Sequence, residues 1–299
     1  MSLRTSFDVV VCGSLNVDVT VDVPRAPEGG QTMLGGDARR SGGGKGGNQA
    51  VAAARLGRRT AMVGAVGGDG DGQFLLDLLR AEDIDLSGVR RLEAGTRESP
   101  ESVPTGQAFV FVDTEGDSTI VVSPGANDHV EVARELVASA RCVLLQQEVP
   151  SAVVEEAASV ANGLVVLNPA PARPVSASLL AGVDLLVPNR GELLGLAGTD
   201  RGDLVQLAQK LGTRGPVVVT LGSLGCLVVE ESRSTRVPAE QVKAVDATAA
   251  GDSFCAAIAD AMLDGADVVE AARWATRVAA VTVTRPGAMA SLPTRAELG

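Results

Sequence analysis

The chain of 299 residues has no tyrosine, one tryptophan, five phenylalanines and one histidine. A site that stacks a flat base between aromatic rings is therefore disfavoured, although aliphatic side chains can take that part. The single histidine, His129, follows the polar turn Gly125-Ala126-Asn127-Asp128, excludes metal sites built on several histidines and reads as a surface residue. The four cysteines, Cys12, Cys142, Cys226 and Cys255, lie far apart and three sit in apolar runs. Buried free thiols are expected rather than a CxxC metal pair or a disulfide framework. No run of about 18 apolar residues occurs, and Met1 to Phe7 leads into a strand-like segment without the regions of a signal peptide, so the expected compartment is the cytoplasm. Basic residues are outnumbered, 26 Lys and Arg against 37 Asp and Glu, for a net charge of -11. Binding to nucleic acid or to an anionic membrane through bulk charge is not expected, and any anionic ligand must be held locally.

What is present is a large core, since 45% of the residues are hydrophobic. Asp8 to Cys12 reads as a buried parallel strand, Lys45 to Leu56 as a helix closed by Gly57, Thr60 to Val66 as a strand and Gly72 to Arg80 as a helix. Beyond Val130 helices and strands alternate, with strands at Cys142 to Gln146, Leu164 to Leu167, Leu185 to Val187 and Val217 to Thr220. Leu227 to Val229 and Thr235 to Val237 read as antiparallel additions, and Gly251 to Leu263 and Val268 to Thr284 as closing helices. The alternation predicts a mostly parallel sheet with helices on both faces. Two stretches differ: Val17 to Val23 paired with an extended piece at Thr32 to Gly35, and a hairpin of Gly106 to Val112 and Ser118 to Val122 around Asp113 to Gly116. There is no internal repeat or linker, so these pieces interrupt one α/β domain over 1–299 as a small discontinuous sheet from about 15–40 and 96–124.

The centre of the chemistry is Ala244 to Phe254, a turn of small residues that runs into a helix at Asp252. Amides crowded at a helix start favour an anion, and the carboxylate there is either a helix cap or a base. The run Gly42-Gly43-Gly44-Lys45-Gly46-Gly47-Asn48 brings its backbone very close to something. As a dinucleotide fingerprint it lacks a preceding strand and an acidic residue about 20 positions on, and as a P-loop it lacks the first glycine and the Ser or Thr after lysine. A polyol site built from Lys45, Asn48 and backbone atoms remains, beside a merely flexible loop. Asp69 to Gly72 fails as a calcium loop, because Gln73, Phe74 and Arg80 occupy essential places. Asn189-Arg190-Gly191-Glu192 is compatible with hydrated magnesium or with helix capping alone, and Thr220 to Gly225 suits a nucleotide cradle at the same sheet edge.

Taken in order, Gly13 to Asp18, Gly43 to Ala50, Asn168 to Ala172, Asn189 to Glu192, Thr220 to Gly225 and Asp246 to Asp252 make the chain resemble the PfkB carbohydrate kinases over nearly its whole length. The resemblance implies a three-layer α/β/α fold with a small β-sheet lid that also pairs two subunits as a homodimer. It implies transfer of the γ-phosphate of ATP to a sugar, with the 5-hydroxyl of D-ribose as the expected acceptor. Asp252 would be the base, beside an anion hole of Ala249, Ala250 and Gly251. Asn16, Asp18, Gly44, Lys45, Asn48 and Glu148 would read the sugar. Asn189 and Glu192 would organise Mg2+, and Thr220, Gly222, Ser223, Gly225 and Thr276 would line the nucleotide site. Asp246, Thr248, Thr282, Arg285, Gly287 and Ser291 match positions around a K+ ion, several through backbone carbonyls. Ala247 departs from the family's threonine, and Cys255 from a frequent polar residue. A kinase for another sugar or a nucleoside, a non-catalytic sugar-binding protein on this fold and, more remotely, an NAD-dependent oxidoreductase stay open at this point.

Overall fold

A computed structural model describes residues 7–93, 102–115 and 118–299 of the chain. Its strands are β1 (Val9–Cys12), β2 (Asn16–Asp22), β3 (Arg39–Gly43), β4 (Thr60–Gly67), β5 (Asp85–Leu92), β6 (Gly106–Val112), β7 (Ser118–Ser123), β8 (Cys142–Gln146), β9 (Leu164–Asn168), β10 (Leu185–Leu186), β11 (Val217–Thr220), β12 (Cys226–Val229) and β13 (Ser234–Val237). Nine of them form one sheet in the order β13-β12-β11-β10-β9-β8-β1-β4-β5, parallel except for β12 and β13. The valine-rich β1 lies inside the sheet, third from the β5 edge, with Val9 paired to Thr60 on one side and Cys142 on the other.

Alternate residues of β1 serve different cores, as the period of two in a strand requires. Val9 and Val11 pack under helices Lys45–Arg55, Gly70–Ala81, Ala250–Leu263 and Val268–Thr282, whereas Val10 and Cys12 face helices Arg134–Ser139, Ser151–Val160 and Arg190–Leu196. The result is a three-layer α/β/α fold. Several of its helices start where the sequence offers caps: Asp69 accepts the Gly72 amide at 2.8 Å, and Asp267 with Glu270 forms a capping box. All four cysteines are free and buried, His129 is exposed, and among the described residues no helix is long and apolar enough to cross a membrane.

The small sheet has the order β3-β2-β6-β7, with β2 and β6 parallel and both flanking pairs antiparallel. The expected strand at Thr32 to Gly35 is not one. Those residues lie in coil with Leu34 90% exposed, and Arg39–Gly43 takes the place beside β2. A polar edge strand shows no apolar alternation; this one is held by its ladder and by Arg39, which binds both carboxylate oxygens of Asp22. A strand therefore does precede the glycine run, though in the small sheet and not in a βαβ unit. The edge strand β5 was equally invisible in the pattern, because only every fourth of its residues is buried. Residues 96–101 of the expected lid, and Gly116 of the expected turn, lie outside the described residues.

Candidate active site

The carboxyl ends of β9, β10 and β11 and the start of helix Ala250–Leu263 enclose a cavity of about 230 Å³. Lys45, Asn168, Asn189, Glu192, Thr220, Ala249, Gly251, Asp252 and Cys255 are among its walls. The helix begins on Ala249, which makes no side-chain cap, and Asp252 sits in the first turn, 6% exposed. Its carboxylate is not a cap: Oδ2 accepts from Asn48 Nδ2 at 2.9 Å and Oδ1 from Gln49 Nε2 at 3.1 Å. Burial raises its pKa above the ordinary carboxylate range, against the pull of Lys45, Asn48 and Gln49. A buried carboxylate on a cavity wall, with its pKa raised and only neutral amides bonded to it, is suited to exchange a proton.

Gly251 explains itself by what surrounds it. A Cβ there would meet no atom within 4 Å, so no protein packing demands glycine, and its surface belongs to the cavity. The amides of Gly251 and Asp252 head the helix where no carbonyl of their own helix reaches them. The Ala250 amide, in contrast, already donates to Ala247 O at 3.2 Å.

The predicted sugar residues converge beside this carboxylate. Glu148 accepts from Ser14 Oγ at 2.5 Å and from the Lys45 amide at 3.0 Å, which ties β8 to the glycine loop. Gly44 takes φ 81, and a Cβ on it would strike the Asn16 amide at 2.7 Å, so the close approach inferred for the glycine run is to the loop that leaves β1. Asn16 is buried, and its orientation is set by Asn127. Asn127 Oδ1 accepts the Leu15 amide and its Nδ2 donates to Asn16 Oδ1 at 2.7 Å, so Asn16 is left to donate. Burial opposes the charge of Lys45, yet Asp252, Glu148 and Glu192 raise its pKa.

Asp18 carries a cost. Burial first, then Glu148 and Asp252, push its pKa up to about 7. A carboxyl with a raised folded pKa makes the native state bind more protons than the unfolded chain between about pH 4 and 7, so stability falls as pH rises through that window. Asp18→Asn is expected to raise the folding stability at pH 8 by on the order of 2–4 kcal/mol, and with it the melting temperature, and to change both little at pH 4, while weakening sugar binding. Calorimetric melting at the two pH values checks this.

The chain matches the profile described as pfkB family carbohydrate kinase over residues 6–295. It belongs to that family. It is 37% identical to a ribokinase of Haemophilus influenzae, covering 97% of this chain and 96% of that one. Its fold superposes on a ribokinase from Thermotoga maritima with a TM-score of 0.89 at 33% identity, and on an Arabidopsis thaliana ribokinase complexed with ribose and ATP with 0.87 at 31%, each covering 98% of both chains.

The rest of the predicted site of this kinase divides into residues that face the cavity and residues spent elsewhere. Asn189 and Glu192 form a complete capping box, so the capping reading of that pair is met, and Glu192 also lines the cavity with its pKa raised by burial. Thr220 lines the cavity too, but Gly222, Ser223 and Gly225 lie in the turn beyond β11, outside its walls. A Cβ on Gly225 would come within 2.0 Å of Val237 O, which is a packing reason for that glycine. Thr276 is buried with its hydroxyl donating to Ala272 O at 2.7 Å. In the cation loops Asp246 accepts the amides of Thr248 and Gly287, each at 2.8 Å, joining the two segments. Burial opposes the Asp246 charge, but these bonds and the Thr248 hydroxyl hold its pKa below the ordinary value. The side chains of Thr282, Ser291 and Arg285 are engaged with Ser253, Ala288 O and Glu297, which leaves backbone carbonyls as their available donors.

Gln146 and Asn127 were given no role by sequence, and neither were Gln49 and Asn168, which lie inside quoted motifs; Asn168 Nδ2 donates to Val187 O at 2.9 Å. Gln146 and Asn168 each end a buried apolar strand at the ligand edge of the sheet, and that position is a readable signal. Ala249 holds φ 60 and ψ 6, a left-handed conformation that disfavours any residue with a Cβ. Ala249→Gly is expected to stabilise the kinase by about 0.5–1 kcal/mol, net of glycine's freedom in the unfolded chain, without loss of kcat. Urea titration with parallel turnover measurements checks it.

Proposed function

We propose that the kinase transfers the γ-phosphate of ATP to the 5-hydroxyl of D-ribose, giving D-ribose 5-phosphate and ADP. One observation carries the chemistry: Asp252 is buried at the mouth of a helix it does not cap, held by two amides, with Lys45 and Glu192 beside it on the cavity wall. The similarity to ribokinases supports the choice of sugar. Asn16, Asp18, Gly44, Lys45, Asn48 and Glu148 would bind the hydroxyls, whose mixed donor and acceptor character this set matches. Asp252 accepts the proton of the attacking hydroxyl, and the helix-start amides with Lys45 stabilise the charge on the transferring group. Asn189 and Glu192 would hold magnesium through water, which would neutralise phosphate charge. Thr220 and the turn Gly222–Leu224, with Gly225 and Thr276, would receive the nucleotide.

The loops that Asp246 joins through Thr248 and Gly287, with backbone carbonyls of Thr282, Arg285 and Ser291, would hold a hard monovalent cation such as potassium. Four buried free thiols suit the reducing cytoplasm. Coupled ADP-release assays with D-ribose, 2-deoxyribose, fructose, adenosine and no sugar, in potassium or sodium, test the reading. Ribose-dependent turnover that rises with potassium supports it; turnover only with adenosine or fructose would overturn the ribose assignment.

The small sheet acts in this reading as a lid and as the subunit contact, within one kinase domain. Its edge strand β7 is exposed along its length, and Ile120, Val121 and Val122 are 55%, 57% and 45% exposed beside Phe109. An apolar unpaired edge is a template for pairing, and a second copy would cover it. Val121→Lys is expected to convert a dimer into a monomer with a raised KM for ribose. Light scattering after size exclusion checks the mass, and a wild-type monomer would reject the contact.

A further inference from the structure

Gln49 and Gln146 form a chain of amides that ends on the base. Gln146, at the end of β8, is 0% exposed. Its Nε2 donates to Gln49 Oε1 at 2.6 Å, and Gln49 Nε2 donates to Asp252 Oδ1 at 3.1 Å. An ionised carboxylate only accepts, so it fixes the direction of each amide behind it. The chain stops at Gln146 Oε1, a buried acceptor with no hydrogen-bond partner among the described residues. That atom is pressed against Gly13, where a Cβ would lie 1.9 Å from it.

The other carboxylate oxygen is held differently. Asn48 Nδ2 donates to Oδ2 at 2.9 Å, and Asn48 Oδ1 is also buried without a partner. A half-turn of the Asn48 amide would present Oδ1 to a proton on Oδ2. Its NH2 would then face the sugar, and a hydroxyl accepts as readily as it donates. The same turn at Gln49 would set its NH2 against that of Gln146. Gln146 could follow only by aiming its own NH2 at Gly13, and a stranded buried donor is rarer than an under-used carbonyl.

We infer that Gln49 and Gln146 are positioning residues that hold Oδ1 as a fixed acceptor, so that Oδ2 of Asp252 takes the proton of the substrate. The inference rests on Asp252 being the base. In the step the hydroxyl O–H bond breaks and its proton goes to Oδ2. The oxygen keeps the electron pair and bonds to phosphorus, while the phosphorus–oxygen bond to ADP breaks and its pair leaves with ADP. Lys45, Glu148, Glu192, Asp18 and the Cys255 thiol also face Asp252, and a substitution at Gln146 alters none of these side chains.

Gln146→Leu frees Gln49 to turn. It is expected to lower kcat about tenfold and to move the acidic limb of the kcat profile up by about one pH unit, with KM for ribose within about twofold. Gln146→Glu, when protonated, can donate to Gln49 as the amide does, so its kcat relative to wild type at the same pH should approach one at low pH and fall as it ionises. Wild-type kcat and acidic limb in both variants would overturn the inference. Should Gln146→Leu melt below the assay temperature, Gln49→Met reads the same limb from the helix side, and an unmoved limb there overturns it equally. Asp252→Asn is measured in parallel. If it is inactive while the glutamine variants behave as wild type, only the relay is rejected; if it is active, the base itself is misassigned.

Discussion

Asp252→Asn is expected to lower kcat by about 10²–10⁴ while leaving the fold intact, because it removes the proton acceptor and almost nothing else. Among the described residues the carboxylate caps no helix and pairs with no buried cation at hydrogen-bond distance; its bonds are to the neutral amides of Asn48 and Gln49. An asparagine can replace one carboxylate oxygen by an NH2 if the Asn48 amide turns to meet it with Oδ1, which has no partner in the native arrangement. Stability should in fact improve at high pH. Burial raises the Asp252 pKa, so the native state binds more protons than the unfolded chain above the ordinary carboxylate pKa, and stability falls as pH rises from there. The variant loses that slope. Turnover with MgATP and ribose, together with melting curves at pH 5 and 8, measures both halves. An active variant would reject the base, and a collapsed one would show that the carboxylate is structural.

Asp260→Ala should have the largest effect on stability, about 3–5 kcal/mol. Asp260 lies two turns further along the same helix, 1% exposed. It accepts from Arg58 Nε at 2.6 Å, Arg295 Nη2 at 2.5 Å and Trp274 Nε1 at 2.9 Å. One carboxylate thus joins the chain after helix Lys45–Arg55, the helix that carries the base, helix Val268–Thr282 and the C-terminal segment. Alanine would leave Arg58 with only Asp264 and the Asp260 carbonyl, at 2.6 and 2.7 Å, and would strand the indole N–H. Trp274 is the only tryptophan, and Arg295 stacks over it at 5.7 Å, so its fluorescence reports the hub directly. Urea unfolding followed at this residue should show the loss, and Asp260→Asn should cost less. At a temperature where the alanine variant is folded, KM and kcat should be near wild type, which separates this carboxylate from Asp252.

Much of this kinase was legible before its structure. The apolar runs at Val9–Cys12, Cys142–Gln146 and Val217–Thr220 are buried on both faces, and such strands announce themselves by composition. The edge strands Arg39–Gly43 and Asp85–Leu92 were missed because an edge needs ladder bonds more than an apolar pattern. The family and its fold follow from motifs, and Asp252, Lys45 and Asn48 became candidates because they lie inside them, whereas Glu148 became one only through the resemblance to the family.

Sequence alone determined the alternation of elements, the parallel core, the absence of metal-site histidines and the chemistry available at Asp252, because these depend on local pattern and residue type. Only the tertiary structure decided that Asp252 is not a helix cap, which glycines protein packing demands and which it does not, and which amides hold the carboxylate. Gln49 reaches Asp252 across 203 positions of chain, and Asn127 reaches Leu15 across 112. No local pattern encodes such contacts. They exist because the parallel sheet brings strand ends and helix starts from distant parts of the chain to one edge, where buried polar groups must find one another.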